Sequence, residues 1–299
     1  MEIKTFIIGG PTASGKSDFA HDLARRTGGV IVNCDSVQVY QGIENISASP
    51  FAGREIMDEI DGVPYKLFSI LQLTAQQNVA EYLELARDEF NAARVVGRPV
   101  IFVGGTGFYI NALINGISPI PEISDDARNR ARAMVRDYPD AAKQLLINAD
   151  ANFNSFDPQR MARALEVFLE TGRPLSEWQN LPRQGRVVAN ATRIFINPPK
   201  DILDARIRAR IPQMLSGGAM NEAKKIIECG WDTKRAIGAD ELVKFICGEI
   251  DKDTAIKNWE SRTIHYAKRQ RTWFRFQFPI DIEINHIPSA KDIDIVLSK

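Results

Sequence analysis

The 299-residue chain holds only three cysteines, Cys34, Cys229 and Cys247, too few and too scattered for a disulfide framework or a thiolate metal knuckle. A reducing compartment, the cytoplasm, is the natural expectation. Its three histidines, His21, His265 and His286, lack ligand spacing and are read as structural. No stretch approaches the roughly 18 consecutive apolar residues of a membrane span. The opening MEIKTFIIGGPTASGKS has neither the basic start nor the long apolar middle of a secretory leader, so none is expected. Repeats and low-complexity tracts are missing too. Net charge is also absent, because 38 Lys and Arg offset 38 Asp and Glu. That balance excludes a chain coated in positive charge for nucleic acid, but not a local basic path. What remains is 44% hydrophobic and 25% charged, the composition of a globular protein with a substantial core.

The order of elements indicates an α/β fold. Thr5 to Ile8 is a short apolar run closed by Gly9-Gly10-Pro11, and helical spacing follows at Phe19, Leu23 and Ala24. Val30-Ile31-Val32 and Pro99 to Val103 are further continuous apolar strands, separated by a helical pattern over Val79 to Val95. Strands of this kind alternating with amphipathic helices predict a parallel sheet covered on both faces. Arg193 to Asn197 and Ile280 to Ile284 add later strands. The middle of the chain is patterned as helix, with proline-rich segments near 118–121 and 197–199. The predicted organisation is a P-loop NTPase-like core in two parts, 1–118 and 199–299, with a mainly helical insertion over 119–198.

Gly10-Pro11-Thr12-Ala13-Ser14-Gly15-Lys16-Ser17 fits G-x-x-x-x-G-K-[ST] between a predicted strand and a predicted helix. Glycines let backbone N–H groups curl around phosphate oxygens, and the helix N-terminus adds its positive end. Lys16 contributes a full charge, and the Ser17 hydroxyl is placed to ligate Mg²⁺. A bound di- or triphosphate follows; which one does not.

Asp35 ends the second strand and should face the same crevice, since ligands sit beyond the carboxyl ends of parallel strands. It could bind Mg²⁺, bind a ribose, accept a proton, or merely stabilise a turn. A second glycine turn, Gly104-Gly105-Thr106-Gly107, presents a threonine hydroxyl at another strand end. Arg206 and Arg210 stand at i, i+4 in a helical pattern, either as an arginine lid over phosphates or as a plain surface pair, and Pro212 should kink or shorten that helix.

Positive charge is concentrated locally. Arg128, Arg132 and Arg136 form one stripe at i, i+4, i+8. Arg160 and Arg163 follow the Asp157-Pro158 helix start, with Met161, Leu165 and Phe168 pointing inward. Ala255 to Phe278 carries six basic residues against Glu260 alone, a net +5, interleaved with Tyr266, Trp273, Phe274, Phe276 and Phe278. Such a segment can neutralise phosphates and stack unpaired bases, while Trp273 and Phe274 suit a core.

Taken together the motifs resemble the tRNA dimethylallyltransferase family: GPTASGKS at 10–17, DSVQVY at 35–40, GGTGFYI at 104–110, DPQRMARALEVF at 157–168, AIG at 236–238 and HYAKRQRTWFR at 265–275. The blocks follow family order and span nearly the whole chain. The resemblance implies transfer of a dimethylallyl group from dimethylallyl diphosphate to N6 of adenosine 37 beside the anticodon, in tRNAs reading codons that begin with U. It assigns the diphosphate to the loop residues 10–17 and Arg210, with Mg²⁺ on Ser17. Lys16 and Thr106 become catalytic, and Asp35 becomes the general base. The implied tRNA contacts are Asp35, Ser36, Val37, Gln38 and Thr106, then Arg128, Gln159, Arg160, Met161, Ala162 and Arg163. Lys234, Arg235, Lys268, Arg269, Arg271 and Arg275 complete them. A monomer is expected, with tRNA and the prenyl donor as partners and no membrane.

The chain departs from the family pattern at three places. Glu44 to Pro50 replaces a segment like DIGTAKP and lacks its lysine. Tyr65 and Lys66 stand where the family has paired histidines, and Ala239 where it has tyrosine. The competing readings are a P-loop small-molecule or nucleotide kinase, a tRNA-binding homologue without catalysis, and an enzyme that prenylates free adenine nucleotides. The first has little use for the basic aromatic stretch.

Overall fold

A computed structural model describes residues 3–151 and 153–298. Seven strands are ordered β3-β4-β2-β5-β1-β6-β7. They are β1 (Thr5–Gly9), β2 (Val30–Asn33), β3 (Glu59–Ile60), β4 (Val63–Lys66), β5 (Val100–Gly104), β6 (Thr192–Ile196) and β7 (Ile282–Ile284). Every pairing is parallel except β3 with β4. β1, β2 and β5 are buried at every position, which is why the sequence shows continuous apolar runs in place of alternation.

The two faces of the sheet are covered by different helices. Phe6, Ile8, Ile101, Val103, Ile194 and Ile196 point to one face, where they meet α1 (Lys16–Thr27) through Phe19 and Leu23. On the other face Phe102 stacks with Phe90 of α2 (Val79–Val95), whose Asn78 cap and Glu81 form a capping box. Helix α3 (Gly107–Asn115) follows β5 directly.

The chain divides into two compact units, Met1–Ile114 with Val187–Lys299, and Asn115–Arg186. The smaller is built from α4 (Asp125–Asp137), α5 (Pro139–Ala149), α6 (Pro158–Thr171) and α7 (Leu175–Gln179). Ala131, Val135, Leu146, Met161 and Leu165 form its core, and an Ile117–Gln184 bridge ties its ends together. Strand β6 lies ahead of Pro198 and Pro199 and pairs with β1, so those prolines precede a helix of the larger unit.

That helix is α8 (Lys200–Met214), and Pro212 lies inside it. The expected break comes later, in a wide turn over Leu215–Ala219 where Gly218 takes φ 121°, outside the helical range that Pro212 itself can still occupy. Then follow α9 (Met220–Cys229), α10 (Ala239–Ile246), the 26-residue α11 (Lys252–Gln277) and α12 (Ala290–Leu297). A second core within the larger unit gathers Ile43, Ile46, Ile207, Ile211, Trp231 and Trp259. In α11, Phe274 is fully buried and stacks on Phe195 of β6, as core packing of that aromatic predicts.

Candidate active site

The phosphate loop joins β1 to α1 at the carboxyl edge of the sheet. A cleft of about 1150 Å³ opens over it, lined by Thr12 to Asp18, Asp35 to Gln38, Asn45 to Pro50, Arg206, Arg210, Lys234 to Ile237 and the Trp259–Gln270 part of α11. All of these belong to the larger unit.

Helix α8 reaches directly onto the loop. Arg206 Nε donates to the Ala13 carbonyl at 2.8 Å, and Arg210 Nη2 donates to the Thr12 hydroxyl at 2.7 Å. A plain surface pair is therefore excluded for these two arginines. Lys16 donates to the Pro11 carbonyl at 3.3 Å. Its surroundings pull its pKa down to about 8, chiefly because the ammonium is poorly solvated; nearby Asp35 opposes the shift and Arg210 adds to it. Poor solvation and neighbouring Arg206 also bring Arg210 down to about 10, still protonated at neutral pH. Ser14 Oγ and Arg210 Nε are buried without a hydrogen-bond partner among the described residues.

Asp35 is positioned from below. Buried Asn33 accepts from the Asp35 N–H at 2.8 Å and donates from Nδ2 to the Asp35 and Leu67 carbonyls. One carboxylate oxygen of Asp35 accepts from the Val37 N–H at 3.0 Å, so the turn-forming role is real. Asp35 nonetheless lines the cleft with Lys16. The Thr106 hydroxyl accepts from the Ser36 N–H at 3.0 Å and sits 3.3 Å from the Ser36 hydroxyl. The ends of β2 and β5 are thereby locked together. Cys34 is buried between them, its thiol 3.0 Å from the Tyr82 hydroxyl and pushed up to about 12 by burial, which makes it inert.

Gln270, which the sequence does not single out, joins the two glycine-rich turns. Its Oε1 accepts from the Thr12 N–H and its Nε2 donates to the Gly105 carbonyl, both at 2.9 Å. A polar residue on the inward stripe Thr263, Ala267, Gln270, Phe274 is the signal that would have marked it.

The divergent segment is held by the fold. Gln38 donates to the Ser47 and Ala48 carbonyls, and buried Glu222 of α9 accepts from the Asn45 and Ile46 N–H groups and from Asn45 Nδ2, each at 2.8 Å. Tyr65 bonds the His21 ring at 3.0 Å. Ala239 is fully buried in the second core.

Other basic residues distribute by face. Lys268, Arg269 and Arg275 are exposed on α11, and Lys234 and Arg235 on the cleft rim, where Arg235 donates to the Tyr40 hydroxyl at 3.0 Å. Arg271 turns to the sheet end, bonding the Pro198 carbonyl. In the smaller unit Gln159, Arg160 and Arg163 are exposed, with Arg163 paired to Glu166 and Arg128 paired to Asp125. Met161 is 4% exposed and packs in that unit's own core, the inward direction that its helical spacing predicts. Ala162 is half-buried beside it.

Strand-loop-helix geometry, an arginine pair on the loop and a carboxylate lining the same cleft define a P-loop α/β protein. The model of the IPP transferase family matches residues 38–277, and the isopentenyl transferase model matches residues 3–63. The chain is 38% identical over 282 residues to the tRNA dimethylallyltransferase of Parvibaculum lavamentivorans, covering 92% of this chain and 88% of that one. To the Sphingopyxis alaskensis enzyme it is 39% identical over 302 residues, covering 97% and 95%. The crystal structure of a tRNA isopentenylpyrophosphate transferase from Bacillus halodurans superposes with TM-score 0.70 at 29% identity, over 99% of this chain and 95% of that one. A eukaryotic dimethylallyltransferase acting on tRNA shares the fold, with TM-score 0.78 at 22% identity over 99% and 79%. The chain belongs to the tRNA dimethylallyltransferase family.

Proposed function

We propose that the cleft transfers the dimethylallyl group of dimethylallyl diphosphate to N6 of adenosine 37 in tRNAs that read codons beginning with U. The products are N6-(dimethylallyl)adenosine and diphosphate. The observation that carries this reading is the convergence of Lys16, Arg206 and Arg210 on one loop, with Asp35 and Thr106 at the adjoining strand ends.

The loop grips a leaving group here, with no phosphoryl transferred. As the allylic C–O bond breaks, its electron pair stays on the diphosphate, and Lys16, Arg206, Arg210 and the loop amides stabilise that charge. The partnerless Ser14 hydroxyl and Arg210 Nε support an oxyanion there, since burying donors unsatisfied is costly. Ile46, Ile211, Met214, Ile237 and Trp259 give the same cleft apolar walls suited to a five-carbon chain. The N6 lone pair forms the new N–C bond, and Asp35 accepts the N6 proton. The amine is a weak nucleophile, so orientation by the Thr106 hydroxyl and proton removal work together. The adenine leaves its stack to reach this position.

The donor set fits magnesium. No group of three or more His, Cys, Asp or Glu side chains could hold a metal among the described residues, and Ser17 offers a hard hydroxyl beside the loop. Mg²⁺ commonly takes one or two protein oxygens and completes its shell from phosphates and water. When bound it would neutralise diphosphate charge, held by Ser17.

Lys268, Arg269, Arg275, Lys234 and Arg235 form the RNA-facing charge of the larger unit, and Arg128, Arg160 and Arg163 that of the smaller, with the neutral amide of Gln159 beside them. Among the described residues no helix is long and apolar enough to cross a membrane. A cytoplasmic setting with free thiols suits this reading. The test uses purified protein, Mg²⁺, labelled dimethylallyl diphosphate and a tRNA with adenosine at the target position. Label in the tRNA supports transfer. Consumption of ATP with a small acceptor and no labelled tRNA would replace the reading with a kinase, and tight tRNA binding without transfer would leave a binder.

A further inference from the structure

Gln270 sits on α11 between Lys268 and Arg269 on one side and Arg271 on the other, yet it is 5% exposed and turned inward. Two hydrogen bonds orient the amide between the turns: the carbonyl oxygen accepts from the Thr12 N–H and the amino group donates to the Gly105 carbonyl. The acceptor turn comes so close that a Cβ on Gly105 would lie 2.1 Å from Gln270 Nε2, so any side chain there would displace the amide. One helical turn earlier, the Tyr266 hydroxyl also bonds the Gln270 side chain, and burial keeps that phenol protonated.

Each end of this amide bridge sits on a substrate-bearing turn. Thr12 is in the middle of the phosphate loop, and its hydroxyl is already held by Arg210. Gly105 immediately precedes Thr106, whose hydroxyl meets Ser36 beside Asp35. The Thr12 N–H, turned to Gln270, is also unavailable to a phosphate oxygen. We infer that Gln270 is a positioning residue that sets the spacing between the leaving diphosphate and the attacking adenine. It touches neither reactant on this account. The inference rests on the proposed transfer reaction.

The chemistry restricts what can replace it. A donor and an acceptor are both required at one reach, which only a primary amide or a protonated carboxyl provides. Methionine fills similar volume but makes neither bond. A carboxylate keeps the bond from the Thr12 N–H but faces the Gly105 carbonyl with no proton to give. Misplacing reacting groups by about 1 Å costs on the order of 100-fold in rate.

The test is single-turnover transfer with saturating donor and tRNA, comparing wild type with Gln270→Met and Gln270→Glu. Gln270→Met should lose about 30- to 100-fold in the rate of transfer, with donor and tRNA dissociation constants changed less than about threefold. Gln270→Glu should be slow near pH 8 and should gain on wild type as pH falls to about 6, because the protonated carboxyl restores the donor to Gly105. A general packing role would not give that acid rescue. Methionine activity at the wild-type rate, or a Glu-to-wild-type ratio independent of pH, would overturn the inference. Where Gln270→Met does not fold, the pH ratio of Gln270→Glu decides alone. An inactive wild type would instead overturn the transfer reading on which the inference stands.

Discussion

Arg210 and Thr12, 198 positions apart in sequence, are joined by a 2.7 Å hydrogen bond from guanidinium to hydroxyl. With the Arg206 bond to Ala13, this ties α8 to the glycine-rich loop. In the proposed reaction an arginine already seated on that loop has little ordering entropy left to lose when the donor arrives.

Arg210→Ala should therefore raise the donor KM about tenfold and lower kcat about 10- to 100-fold, because charge on the departing diphosphate loses a partner. The tRNA dissociation constant should change little. Steady-state kinetics with each substrate varied, together with filter binding of tRNA, check both halves.

Replacing Asp35 with asparagine preserves the carbonyl oxygen that receives the Val37 N–H and removes the proton acceptor. Transfer should fall at least about 100-fold, with the fold and tRNA affinity retained. A near wild-type rate in Asp35→Asn would end its role as base.

The depressed pKa of Lys16 gives a pH signature. Free protein loses the Lys16 proton above about 8, and an anion at the loop raises that pKa again, so donor binding near pH 8.5 should take up protons, whereas binding near pH 7 should not. Donor affinity should fall as pH rises through about 8. Calorimetry of dimethylallyl diphosphate in two buffers of different ionisation enthalpy measures the uptake, and Lys16→Arg should abolish it.

On α11, the double change Lys268→Ala with Arg269→Ala should weaken tRNA binding and reduce the slope of log affinity against log salt by about 2. Arg271→Ala should act on stability, since its guanidinium is committed to Pro198. Affinities at several salt concentrations and a thermal melt separate the two effects.

Backbone packing at the cleft rim gives a stability prediction. Gly238 has φ +101°, and a Cβ there would lie 2.3 Å from the Trp259 ring, whereas Gly230 has φ +65° with open space around it. Gly230→Ala should cost about 1 kcal/mol from backbone strain alone. Gly238→Ala should cost about 2–4 kcal/mol, because the buried indole must move as well. Denaturant titration of both variants makes the comparison.

Much of this site was legible in local pattern. The phosphate loop needs a fixed order of glycines, lysine and serine, and Asp35 and Thr106 stand where strands end, so a reader of periodicity finds them. Strands β3 and β4 escaped because one has two residues and the other carries Pro64, leaving no apolar run to detect. Bonds across long sequence distance leave no local trace: Arg206 to Ala13, Gln270 to Thr12, and Glu222 to Asn45. Asn45 and Ile46 looked like departures from the family at the rim, yet Glu222 holds both of their backbones in place. Met161 was legible from helical spacing, which turns it to the core while Arg160 and Arg163 stay exposed on the same helix.

The bonds that brace Thr12 and Ala13 come from residues 206, 210 and 270, far downstream of the loop they support. A chain emerging from the ribosome displays the phosphate loop early and completes its bracing only when most of the protein has been made. A truncated product ending before α8 would carry the glycine-rich motif with none of these braces, and one ending before α11 would keep the two arginine bonds but lack the Gln270 bond.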